Sequence, residues 1–159
     1  MKKLVSFALM LALSAALSTT ALAAEISETS KPQSSEVTVT TSISPTYTVS
    51  IPANTTVNFN AVDTDFGEIK LTAAQLDPGK TVKVELSASG TLKNAKDPSK
   101  TLAYQIQTNG KEFESASYLN ANESTKLNIH IAQKAWNKAY AGSYSDTVKF
   151  TISYVDVEQ

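Results

Sequence analysis

From Val37 onward the chain alternates. Val37, Val39, Ile43, Tyr47, Val49, Ile51, Val57 and Phe59 all fall on odd positions, with threonine, serine and asparagine between them. That two-residue period marks half-buried strands. Pro45 and Pro52 interrupt the run, because proline has no amide hydrogen for a ladder; the pattern therefore predicts three short strands near 37–43, 46–51 and 55–60. The rhythm returns in Ile69 and Leu71, in Val82, Val84 and Leu86, in Leu102, Tyr104 and Ile106, and in Leu127, Ile129 and Ile131. Its longest instance closes the chain: in AGSYSDTVKFTISY, Ala141 to Tyr154, the residues Tyr144, Val148, Phe150, Ile152 and Tyr154 share one parity. Turn-forming residues separate the runs at Asp77-Pro78-Gly79-Lys80, at 94–100 with Asp97-Pro98, at Asn109-Gly110 and at 120–124. Asn109-Gly110 is the strongest hairpin signal among them.

One stretch departs from this period. Ala132, Ala135, Trp136, Ala139 and Tyr140 recur at three- and four-residue spacing, which predicts a short helical turn near 132–140. The expected fold is all-β: an immunoglobulin-like antiparallel β-sandwich of about seven to nine strands with that single helical turn.

The N-terminus has a different character. Lys2 and Lys3, the apolar run Leu4 to Leu17 and the small-residue motif Ala21-Leu22-Ala23 form a secretory signal expected to be cleaved near Ala23. Removing these 23 residues from 159 leaves 136, enough for one domain. Residues 24–36 are polar and aperiodic, a flexible tail, and 37–159 are expected to form the single sandwich domain. The 14 basic residues less Lys2 and Lys3 leave 12 against 15 acidic ones, a net −3 that is the wrong sign for nucleic acid. All the basic residues are lysine, and there is no cysteine, so neither disulfides nor thiolate metal sites are available. No second apolar run approaches the roughly 20 residues of a membrane span. The expected location is extracellular or at the cell surface, without covalent anchoring, since neither an LPxTG-like motif nor a lipobox cysteine is present.

The last strand, with Gly142 and a near-terminal Tyr154 bracketing the alternation, resembles the C-terminal strand of chaperone-usher pilins and spore coat protein U domains. The segment Pro45 to Ala53, PTYTVSIPA, looks like small exported surface proteins of Gram-positive bacteria. The pilin resemblance implies an incomplete sandwich whose groove is filled by the N-terminal strand of a neighbour. It also implies that Val148, Phe150, Ile152 and Tyr154 line one groove wall, and that Val37, Val39 and Ile43 lie on the donated segment. The same alternation suits a central strand of any sandwich, in which Tyr144 would bond nearby backbone as a tyrosine corner.

Candidate chemistry is sparse. His130 is the lone histidine, and its parity opposes Leu127, Ile129 and Ile131, so it is expected to face solvent without a partner serine or a second metal ligand. The acidic stretch Asp63 to Glu68 lacks calcium-loop spacing and is expected to be a solvated loop. No catalytic residue, cofactor or metal is expected. Trp136 and Tyr140 sit four apart, on one face of the predicted turn, where they either cap the core or stack on a ligand. The expected function is a non-enzymatic structural, adhesive or fibre-like surface subunit that pairs with other copies or with surface proteins. The alternative is a carbohydrate-binding module using Trp136 and Tyr140.

Overall fold

A strand needs an alternating face to bury and a neighbour to complete its backbone bonds, and the chain supplies both only from Thr46 onward. The computed structural model describes residues 25–29, 31 and 33–157. It separates into two units, Met1–Thr41 and Ser42–Gln159. The expected signal, 1–23, lies outside the described residues. The described part of the first unit contains neither strand nor helix, and its bonds are local, such as Gln33 Nε2 to the Glu28 carbonyl at 2.9 Å. The strand expected at 37–43 does not form. Val37, Val39 and Ile43 are exposed and the segment joins no sheet, because alternation without a neighbouring ladder holds no strand.

The second unit contains β1 (Thr46–Ser50), β2 (Asp63–Gln75), β3 (Lys80–Ser87), β4 (Thr91–Asn94), β5 (Thr101–Ala103) and β6 (Gln105–Thr108). These are followed by β7 (Lys111–Glu112), β8 (Ser115–Tyr118), β9 (Ser124–His130), α1 (Gln133–Trp136), β10 (Tyr144–Ser145) and β11 (Lys149–Asp156). The strands pair antiparallel in three sheets ordered β1-β2-β9-β6-β7, β10-β4-β5 and β11-β3-β8. This is an all-β sandwich with one short helix. Ile69, Leu71, Leu127, Ile129 and Ile106 from the five-stranded sheet meet Val82, Val84 and Tyr118 from β3 and β8, and Leu102 from β5, in one buried core.

The turns form where their residues require. Asn109 and Gly110 both have positive φ, 51° and 74°, the geometry of a type I′ hairpin between β6 and β7. The Lys80 amide closes on the Asp77 carbonyl at 3.1 Å and the Lys100 amide on the Asp97 carbonyl at 2.9 Å.

Four further local expectations change. Residues 55–60 are not a strand: Pro52 removes a donor, Asn60 turns the chain at φ 66°, and 51–60 run as an irregular strap. Asp63 to Glu68 are not a loop but the start of β2. A bulge at Asp65–Gly67, with the Gly67 amide bonded to Asp65 Oδ1 at 2.8 Å, shifts the parity there. Even-numbered Phe66 and odd-numbered Ile69 and Leu71 thereby share the inner face.

The run at 101–106 and the closing run at 141–154 are each cut in two. Tyr104 carries the chain from the small sheet to the five-stranded one, and residues 146–148 carry it from the small sheet to β11. Strands that switch sheets make the corners of a sandwich.

Candidate functional site

The pairing of β11 leaves one edge open. The Leu86 amide bonds the Glu114 carbonyl at 2.8 Å, so Leu86 directs its backbone toward β8 rather than toward Phe150, its opposite number on β11. The Val157 amide bonds the Gly79 carbonyl at 2.9 Å, so the odd-numbered residues of β11 are the ones bonded to β3. In an antiparallel pair these roles alternate. The amides and carbonyls of Phe150, Ile152 and Tyr154 therefore face away from β3, and among the described residues no strand pairs there.

Beside this edge a groove is bordered by core residues. This groove of about 480 Å³ has Phe66, Ile106 and Ile129 on its floor, Val148 and Phe150 on one wall and Ile51 to Val57 of the strap on the other. The Phe66 and Phe150 ring centroids lie 6.2 Å apart. Toward the far end of β11, Tyr47 of edge strand β1 stacks on Tyr154 at 5.8 Å. The Tyr154 hydroxyl accepts from the Asp77 amide at 2.7 Å and donates to Asp77 Oδ2 at 3.1 Å, fixing the ring. Ile152, between Phe150 and Tyr154, remains 38% exposed. Of the four residues expected to line one groove wall, Val148 and Phe150 border the groove, whereas Ile152 and Tyr154 lie beyond it on β11. Val37, Val39 and Ile43 are exposed and belong to no strand.

At the junction of the groove with the small sheet stands Asp146, which sequence reasoning did not single out. Its Oδ2 accepts from the Tyr104 hydroxyl at 2.6 Å and from Ser89 Oγ at 2.7 Å. Burial raises the Asp146 carboxyl, but bonds from Tyr104, Ser89 and the Thr147 and Ser89 backbone outweigh it and hold the group below the ordinary carboxylate range. Burial, and then the bond to Asp146, push the Tyr104 phenol far up, keeping it a donor. The signal was present: Asp146 shares the parity of Tyr144 and Val148, the one charged residue on an otherwise apolar face.

Asp146, Thr55, Val57 and Leu92 also border a second cleft of about 780 Å³, which holds Trp136 and Tyr140. Trp136 donates from Nε1 to the Ala61 carbonyl at 2.8 Å, packs against the core, and meets Phe59 edge-on at 5.7 Å. Tyr140 is 63% exposed, with the Lys100 ammonium 4.8 Å from its ring centre. The Tyr144 hydroxyl accepts from the Tyr140 amide at 3.1 Å and donates to its carbonyl at 2.9 Å, a tyrosine-corner type of contact. Phe59, 83% exposed, belongs to this cleft and was expected instead on a strand.

His130 lies on the outer face of β9, its Nδ1 2.8 Å from Asp63 Oδ1 of β2. Asp65 is engaged by the Gly67 bulge, and no metal-ligating cluster occurs among the described residues.

The chain is thus an all-β sandwich with an open strand edge beside an apolar groove. No family model matches the sequence, and no curated protein matches it. Among solved structures, a chain from a chaperone–tip adhesin complex described as vital for synergistic activation of CFA/I fimbriae biogenesis aligns with a TM-score of 0.41 and 14% identity. The match covers 71% of this chain and 43% of that one, so the chain spans less than half of that structure's length. No helix among the described residues is long and apolar enough to cross a membrane.

Proposed function

We propose that this chain is a non-enzymatic structural or adhesive subunit acting outside the cell, and that its working surface is the open edge of β11. The strand that fills this edge comes from residues 37–43 of a second copy. The observation that carries the proposal is the free edge itself: among the described residues no strand pairs with the outward backbone groups of Phe150, Ile152 and Tyr154, and Phe150 borders an apolar groove of about 480 Å³. An unpaired edge over exposed apolar surface is a template for strand addition.

The segment 37–43 suits it in length and in pattern. Seven extended residues span about 23 Å, against about 26 Å for the eight of β11, at roughly 3.3 Å per residue. Val37, Val39 and Ile43 share one face and are exposed in their own molecule. A non-enzymatic role fits the single histidine, which is engaged by Asp63 on an outer sheet face.

Deletion of 24–43 followed by size-exclusion chromatography and thermal melting tests the proposal. The truncated chain is expected to melt cooperatively as a monomer while the intact chain assembles. Equal assembly of both chains would refute strand exchange; collapse of the truncated fold would mean that the segment completes its own molecule.

A further inference from the structure

We propose that the aromatic cleft beside β10 binds a neutral saccharide of one or two rings, independently of strand docking at β11. Its volume, about 780 Å³, lies within the roughly 300–1,000 Å³ of small-ligand sites. The composition of its lining selects the ligand. Phe59 and Tyr140 are 83% and 63% exposed, an unusual display of two rings that the core does not use. Around them stand the hydroxyls of Thr55, Thr56, Ser143 and Ser145.

A pyranose has an apolar C–H face and a rim of hydroxyls. The rings cover the first, and the hydroxyls of Thr56, Ser143 and Ser145, each donor and acceptor, exchange bonds with the second, joined by Thr55 as an acceptor, its own hydrogen given to the Ala53 carbonyl at 3.2 Å. A wholly apolar ligand would instead strip water from those hydroxyls without replacement. Charge does not select an anionic sugar: the Asp146 carboxylate in the lining opposes the Lys100 ammonium, which sits 4.8 Å from the Tyr140 ring centre. Trp136, the sole tryptophan, borders the cleft with its indole nitrogen tethered to Ala61, and so reports occupancy from a fixed position.

The experiment titrates Trp136 fluorescence of the full mature chain with glucose, galactose, N-acetylglucosamine, cellobiose, lactose, chitobiose and cellobiouronic acid, with calorimetry on any hit. At least one neutral sugar is expected to give a saturable change. Tyr140→Ala and Phe59→Ala, both at exposed positions, should each weaken it about 5- to 10-fold, the loss of one ring contact, with the thermal melt retained. Deletion of 24–43 should leave the affinity unchanged, which separates this site from strand docking. The proposal is overturned by the absence of a saturable response up to about 50 mM, well beyond the millimolar regime of a weak single site. Unaltered affinity in both ring variants, tighter binding of the uronic acid than of its neutral counterpart, or loss of binding on deleting 24–43 would each overturn it as well.

Discussion

Asp146 and Tyr104 tie together two corners of the sandwich. Tyr104 stands where one strand leaves the small sheet and Asp146 where the last strand does, and their 2.6 Å bond joins the two switches. Tyr104→Phe removes that donor from a partly buried carboxylate and should cost about 1–3 kcal/mol, seen as a lower melting temperature with unchanged far-UV dichroism. The carboxylate also imposes a pH dependence. Because Asp146 is held below its unfolded value of about 3.9, the unfolded chain binds protons before the folded one does as pH falls. Its contribution is therefore whole above about pH 4 and is lost as pH drops through the lower folded value. Melting temperature should fall less steeply below pH 4 in Asp146→Asn than in the parent. Some slope persists in both, since the Ser99 hydroxyl holds Asp97 low and the Asn120 amide holds Glu123 low. Gly142 is the other sensitive residue. At φ 150° its added Cβ would strike the carboxamide of buried Asn94, whose Oδ1 accepts from the Lys96 amide at 2.9 Å. Gly142→Ala should cost about 1–3 kcal/mol in a denaturant melt, combining the clash with backbone strain.

At the scale of elements, β11 makes a claim that two prolines can separate. Ile152 directs its amide to the open edge, whereas Thr151 directs its amide to Glu85 of β3. Ile152→Pro should fold, because proline is tolerated where the missing donor faced outward, but should lose assembly by size-exclusion. Thr151→Pro breaks the ladder to β3 and should cost about 3 kcal/mol or more. Equal loss of assembly by two folded variants would leave the edge argument without support. The parity behind these variants was readable from the sequence for β3, β9 and β11, as were the four turns, because each of these strands has one wet face and ends in residues that favour turns. β4 and β8 were not readable: TLKN and SASY carry too few apolar residues to show a period. The bulge in β2 hid its first half by moving Phe66 to the opposite parity from Ile69. At 37–43 and 55–60 the period was present but no ladder received it, since pattern specifies which face is buried and not whether a neighbour exists.

For the whole molecule, the open seam makes stability and assembly two readings of one equilibrium. A chain with an apolar groove beside unpaired backbone gains free energy from any strand that fills it, and by linkage that gain appears as thermal stabilisation. Half of the candidate site, the wall of Val148 and Phe150 and the edge that continues to Tyr154, is visible in the closing alternation. The other half is not, because the strap 51–60 and the floor residues Phe66, Ile106 and Ile129 come together only through the sheet topology. The consequence is measurable without the polymer. A synthetic peptide of residues 35–45 added to the chain lacking 24–43 should raise its melting temperature in a saturable way, by about 2.7 kcal/mol of added stability at a hundredfold excess over the dissociation constant. The same peptide with Val37→Ser and Val39→Ser keeps its backbone donors but loses two of its three apolar anchors, and should stabilise far less. Equal stabilisation by both peptides would mean that the edge accepts any extended backbone, making the groove irrelevant to recognition. No stabilisation by either would mean that the seam takes its strand from a different partner.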